Sequence, residues 1–181
     1  MRMIKRRKKP LLNSLLTYTK IVHIMYLHSF LTNWGHSIRR KIFLAYRNGK
    51  IVGRIAAIIN HEANRIWDNK RVRFGFVDFI DDAEVVDALF KVAEDWGKSK
   101  GMDTIVGPMG FMDLDHEGLL IRGYDKMATM ATTYSYPYYR THIERLGFEK
   151  DADWQEFYIA VPSEVPERHL RIADMISRRY G

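Results

Sequence analysis

The sequence contains no cysteine. Disulfides, thiolate nucleophiles and Cys-ligated metals are therefore excluded, which fits a reducing cytoplasm. Acidic residues are missing from the whole stretch before Glu62, which holds 13 of the 29 Lys and Arg residues. The other 16 basic residues accompany all 22 acidic ones, so the net charge of +7 is a basic N-terminal third joined to a mildly acidic body. A uniformly basic nucleic-acid binder is not built that way. Repeats, low-complexity segments and long uninterrupted apolar runs are also missing. Leu11–Leu31 is apolar in composition, but Asn13, Ser14, Lys20, His23 and His28 interrupt it. It is too polar to span a membrane. No small-residue cleavage site follows it, so a secretory leader is not expected.

What is present is 181 residues, 46% hydrophobic and 13% aromatic, enough for one domain with a substantial core. Near the N-terminus Leu12, Leu15, Leu16, Val22, Tyr26 and Phe30 fall close to helical spacing. Two readings stay open there. One is a helix packed on its own domain behind a frayed basic tail, "KRRKKP". The other is a basic amphipathic surface, with residues 1–9 meeting anionic lipid or nucleic acid.

The run "KIFLAYRNGKIVGRIAAIIN" predicts a hairpin, because Asn48-Gly49 tolerates the positive φ of a tight turn between β-prone flanks. A polar turn over Asn60–Arg71 leads to a third strand at Val72–Ile80. Period-two alternation along it puts Phe74, Phe76 and Asp78 on one face. A helix follows, with Val85, Leu89, Val92, Ala93 and Trp96 on one stripe and its end at Gly101. The strand Asp103–Pro108 then implies a crossover and a parallel pair. After the long connection Gly110–Thr133, Pro137 opens a helix with Tyr139, Ile143 and Leu146 on one face, closed by a left-handed Gly147. Strands are expected at Phe148–Lys150 and Trp154–Val161, and a last amphipathic helix at Ser163–Tyr180.

Three stretches, "FLAYRNGKIVGRIAA", "DALFKVAEDWGKSKG" and "YYRTHIERLGFEK", together resemble the core of the GNAT superfamily of N-acetyltransferases. "GPMGFMDLDHEGLLIRGYD", followed by "YSYPYYRTHIERLGFEKDAD", is similar to a divergent bacterial group of GNAT-like proteins. The resemblance implies an α/β (α+β) fold: a mixed twisted sheet with helices on both faces and a splayed central strand pair. It covers residues 41–161 and leaves residues 1–40 as a basic, partly apolar arm. Chains of that group are often longer, which would put residues 162–181 at a boundary to a second half.

The same resemblance implies an acyltransferase that passes an acyl group from acetyl-CoA or another acyl-CoA to a small-molecule or peptide amine. The pantetheine arm would enter where the strand ending near Ile80 splays from Thr104–Pro108, with Phe79, Ile80, Asp81 and Val85 along the cofactor. The superfamily usually carries Gln/Arg-x-x-Gly-x-Gly/Ala at this junction. Here Asp81 takes the basic or amide position, and Glu84 and Val86 take the glycine positions. Ile143 stands where many members have a tyrosine that protonates the leaving thiolate.

Read locally, the junction is a helix start, with Asp81 as N-cap and Glu84 completing a capping box. Asp78 is the first candidate general base, since a carboxylate beside aromatics can have its pKa raised. Its alternative role is pairing with Arg54 or Arg73. His116 is the base candidate in "DLDHE", Asp113 to Glu117, whose spacing does not by itself make a metal site. Tyr138 and Tyr139, in "TTYSYPYYR", could hydrogen-bond an acyl carbonyl or an amine, and His142 is expected at the surface. Three functions compete: an acyltransferase, a non-catalytic GNAT-like binding module, and a domain recruited to membrane or nucleic acid by its basic arm.

Overall fold

In a computed structural model, the hairpin is β3 (Ile38–Arg47) and β4 (Lys50–Asn60), joined by Asn48 at φ 53° and Gly49 at φ 75°. The structure describes residues 2–6, 23–27, 38–112, 114–129, 132–157 and 159–180. Asn60 ends β4 and caps the short α1 (His61–Ile66), its side chain accepting from the Ala63 N–H at 2.9 Å. Then come β5 (Arg71–Phe79), α2 (Ala83–Ser99), β6 (Thr104–Gly107), α3 (Pro137–Arg145), β7 (Glu149–Asp153) and α4 (Glu167–Tyr180). With β1 (Arg2–Arg6) and β2 (His23–Leu27), the strands form one seven-stranded sheet ordered β2-β3-β4-β5-β6-β1-β7. Among the described strands only β5 and β6 run parallel, as a crossover through α2 requires. The architecture is mixed α/β.

The core lies between the sheet and α2. Val85, Leu89 and Ala93 from α2 meet Ile55 and Ala57 from β4 and Phe74 from β5, all fully buried. The rings of Phe74, Phe90 and Phe148 meet edge-on at 5.0–5.5 Å, which suits their quadrupoles. Tyr139 and Ile143 bring α3 into the same cluster, and Arg145 ties it to Asp87 of α2 at 2.5 Å. On the opposite face of β5, Arg73 and Asn60 donate to the Phe111 carbonyl at 2.8 and 3.1 Å. The long connection expected from Gly110 onward thus meets that part of the sheet.

Two N-terminal expectations change. Arg2–Arg6 is a strand between β6 and β7, with Met3 buried beside Val106 and Met109 and with Lys5 paired to Asp151. Five residues of the tail thus join the sheet, because Met3 has an apolar site to fill. His23–Leu27 is also a strand, with Tyr26 opposite Phe43, so helical spacing does not apply there. Leu12, Leu15, Leu16, Val22, Phe30 and the rest of residues 1–9 lie outside the described residues. Farther on, the described residues of Trp154–Val161 form no strand: β7 ends at Asp153, and Phe157, Ile159 and Val161 are exposed.

Candidate functional site

The predicted alternation of β5 breaks at Phe76. Its φ is +46°, and the register with β4 slips between Arg54↔Asp78 and Ala56↔Gly75, which places an extra residue in β5. This is a β-bulge, and it exchanges the faces of everything after it. Phe74 is buried, Phe76 is 54% exposed, and Phe79 instead of Asp78 returns to the core. Asp78 therefore does not share a buried face with Phe74. It is exposed, with Arg54 opposite it in the ladder. Positive φ at a non-glycine costs on the order of 1–3 kcal/mol, and such strain concentrates where a side chain must be re-aimed.

Near the bulge, β5 loses its parallel partner. The ladder to β6 covers Arg71–Arg73 only, and the last link is the Met109 N–H donating to the Phe74 carbonyl at 2.9 Å. A Cβ on Gly75 would collide with the Met109 carbonyl, so glycine permits this approach. Farther along, α3 supplies the partners that a neighbouring strand would have given. The Phe79 N–H donates to the Tyr139 hydroxyl at 3.2 Å, and the Tyr138 hydroxyl donates to the Phe79 carbonyl at 2.9 Å. The Phe79 and Tyr139 rings stack at 4.2 Å.

Tyr139 also donates to Asp78 Oδ1. Burial first, then the Asp78 carboxylate, holds its hydroxyl well above the ordinary phenol range, so it stays protonated near neutral pH. A phenol has one proton to give. With that proton given to Asp78, Tyr139 orients the carboxylate.

The start of α2 is built differently from the expected capping box. Asp82, not Asp81, is the N-cap, accepting from the N–H groups of Glu84 and Val85 at 3.0 and 3.2 Å. Arg47, reaching over from the end of β3, forks onto Asp82 at 2.7 and 3.1 Å and onto Glu84 at 3.0 Å. The guanidinium, helped by the helix N–H groups, lowers the Asp82 pKa. Asp81 turns instead to His142 Nε2 at 2.7 Å. His142 is not a surface residue: its side chain is 12% exposed, edge-on to Phe79, with Nδ1 buried and unpartnered. The sequence held a signal for it, since His142 is one turn beyond Tyr138 and Tyr139 on the same face.

The candidates thus separate. Asp78, Phe79, Asp81 and Tyr139 come together, joined by Tyr138 and His142. Val85 is fully buried under β4 and belongs to the core. Ile80 is half-exposed, but its N–H is spent on the Val52 carbonyl at 3.1 Å. His116 is exposed on a loop organised by Asp115, whose Oδ2 accepts from the N–H groups of Phe111 and Met112 at 2.6 and 3.2 Å. Asp113 lies outside the described residues. A separate cavity of about 480 Å³ opens between residues 120–128, 132–133 and 153–156, and none of the predicted site residues lines it.

The chain is similar to two longer bacterial proteins. It is 39% identical over 111 residues to Protein YghO of Escherichia coli (strain K12), which covers 61% of this chain and 28% of that one. It is 30% identical over 128 residues to Bacterial ceramide synthase of Caulobacter vibrioides, which covers 70% of this chain and 33% of that one. The chain spans about a third of the length of these relatives. No family model matches it.

Proposed function

We propose that this chain carries the acyl-transfer portion of a GNAT-like N-acyltransferase, which joins an acyl group from acetyl-CoA or another acyl-CoA to an amine. The observation that carries the reading is the Asp78–Tyr139 pair, a solvent-facing carboxylate steered by a buried phenol where β5 leaves β6. The likeness to a protein named a ceramide synthase supports an amide-forming reaction, and suggests a long-chain amine as acceptor. Asp78 takes the proton of the attacking amine, and the amine nitrogen bonds to the thioester carbonyl carbon. The tetrahedral centre then collapses, and the thiolate leaves. Tyr139 keeps the carboxylate facing the amine. The acyl-CoA and the amine are both substrates.

A second reading, a non-catalytic GNAT-like binding module, is favoured by the junction at α2. Its N–H groups are already taken by Asp82, and side chains stand where the superfamily's glycines would cradle a pyrophosphate. Incubation with acyl-CoA and a panel of short- and long-chain amines, read by mass spectrometry, separates the two. Amide product supports transfer. Acyl-CoA or amine binding in calorimetry with no amide formed supports the module.

A further inference from the structure

Helix α4 has two faces and no cover. At 3.6 residues per turn, Leu170, Ile172, Ala173, Ile176 and Tyr180 fall on one side with His169 among them, while Glu167, Arg171, Asp174 and Arg178 fall on the other. No residue of α4 is buried: Leu170 is 55% exposed, Ile176 50% and Tyr180 75%. The segment leading into it is bare as well, with Phe157, Ile159 and Val161 each more than three-quarters exposed. So much exposed apolar surface needs an occupant.

The charges on α4 indicate which occupant. The Glu167–Arg171 and Asp174–Arg178 pairs, each one turn apart, neutralise two of its four arginines. Arg168 and Arg179 have no carboxylate partner among the described residues, and both sit along the edge of the apolar face beside Ile172. A cationic border on an apolar stripe matches the boundary between lipid phosphates and acyl chains. No described helix is long and apolar enough to cross a membrane, so this geometry fits a helix lying in the interface.

We infer that α4 docks on an anionic lipid bilayer, with Leu170, Ile172, Ile176 and Tyr180 in the acyl region and Arg168 and Arg179 on the phosphates. The inference stands on the helix alone and holds whether or not the Asp78 site transfers acyl groups. At a bilayer the protein would meet long-chain, water-insoluble ligands where they reside.

The test is flotation of the full chain with vesicles of equal phosphatidylglycerol and phosphatidylcholine, alongside vesicles of phosphatidylcholine alone. Binding is expected on the anionic vesicles, weakened by salt and by the Arg168→Glu/Arg179→Glu variant. The Ile172→Asp/Ile176→Asp variant should bind at least about tenfold more weakly, because both side chains would leave the acyl region. Circular dichroism of each variant checks that the exposed helix substitutions leave the fold intact. Failure of the wild type to float with anionic vesicles would overturn the inference, as would flotation indifferent to Ile172→Asp/Ile176→Asp. A dimer in sedimentation velocity that this variant dissolves, with lipid binding unchanged, would assign the face to a second copy instead.

Discussion

Helix α2 buries Val85, Val86, Leu89, Phe90 and Ala93 against the sheet, whereas α4, only three residues shorter and as clearly two-faced, buries nothing. Both sequences carry apolar residues at helical spacing with charges opposite. What differs is the surroundings. α2 lies between two paired strands and can close on them at once, its Gly97 fitting against Val72. α4 follows an exposed segment whose described residues pair with no strand. An apolar stripe therefore states that a helix has an inner face, not that the same fold supplies the cover. The two helices ought to answer to substitution in opposite ways, through stability for α2 and through association for α4.

The largest expected effect is at Leu89, fully buried at the centre of α2. Leu89→Ala should lower unfolding free energy by about 2–5 kcal/mol in urea denaturation, through lost transfer energy and the cavity left behind. Tyr139→Phe comes next. It removes a partner from the Phe79 N–H and from Asp78, and about 1–2 kcal/mol of stability should go with them. Asp82→Ala should cost about 1 kcal/mol as the cap of α2.

Because Arg47 holds the Asp82 pKa below its ordinary 3.8, that carboxylate stabilises the fold above this value. The contribution is lost as pH falls through the depressed folded-state value. Thermal melts of wild type and Asp82→Asn should accordingly converge in acid and separate toward neutral pH. At the small end stands α4: Ile172→Asp should move stability by no more than about 0.5 kcal/mol, since the residue is already in water. A large loss there would mean that α4 has a cover within its own chain and would erase the contrast.

Much of the central fold was legible because local chemistry and tertiary packing agree in it. Asn48-Gly49 turned the hairpin, the α2 stripe met a sheet, and Pro137 and Gly147 bracketed α3. The failures are equally specific. Alternation placed Asp78 beside Phe74, and a single added residue at Phe76 reversed it; Gly75, a lone glycine inside the strand, was the one local sign of that bulge. The cap fell to Asp82 in place of Asp81 because Arg47, 35 residues away, is positioned by the hairpin to fork onto it. Residues 2–6 read as a basic tail because Met3 and Ile4 among arginines and a lysine carry little periodicity, though a waiting pocket beside Val106 is enough to dock Met3. The pairing of Asp78 with Tyr139 spans 61 residues of sequence and needed the packed helix to be seen.

That pairing holds the central claim, and amine-dependent thiol release from acyl-CoA tests it most directly, with wild type and Asp78→Asn compared at matched stability. The account predicts measurable release by wild type and a loss of about a hundredfold or more in Asp78→Asn, the scale of a missing general base. Release by Asp78→Asn equal to that of wild type, or none by wild type with any amine, would contradict it.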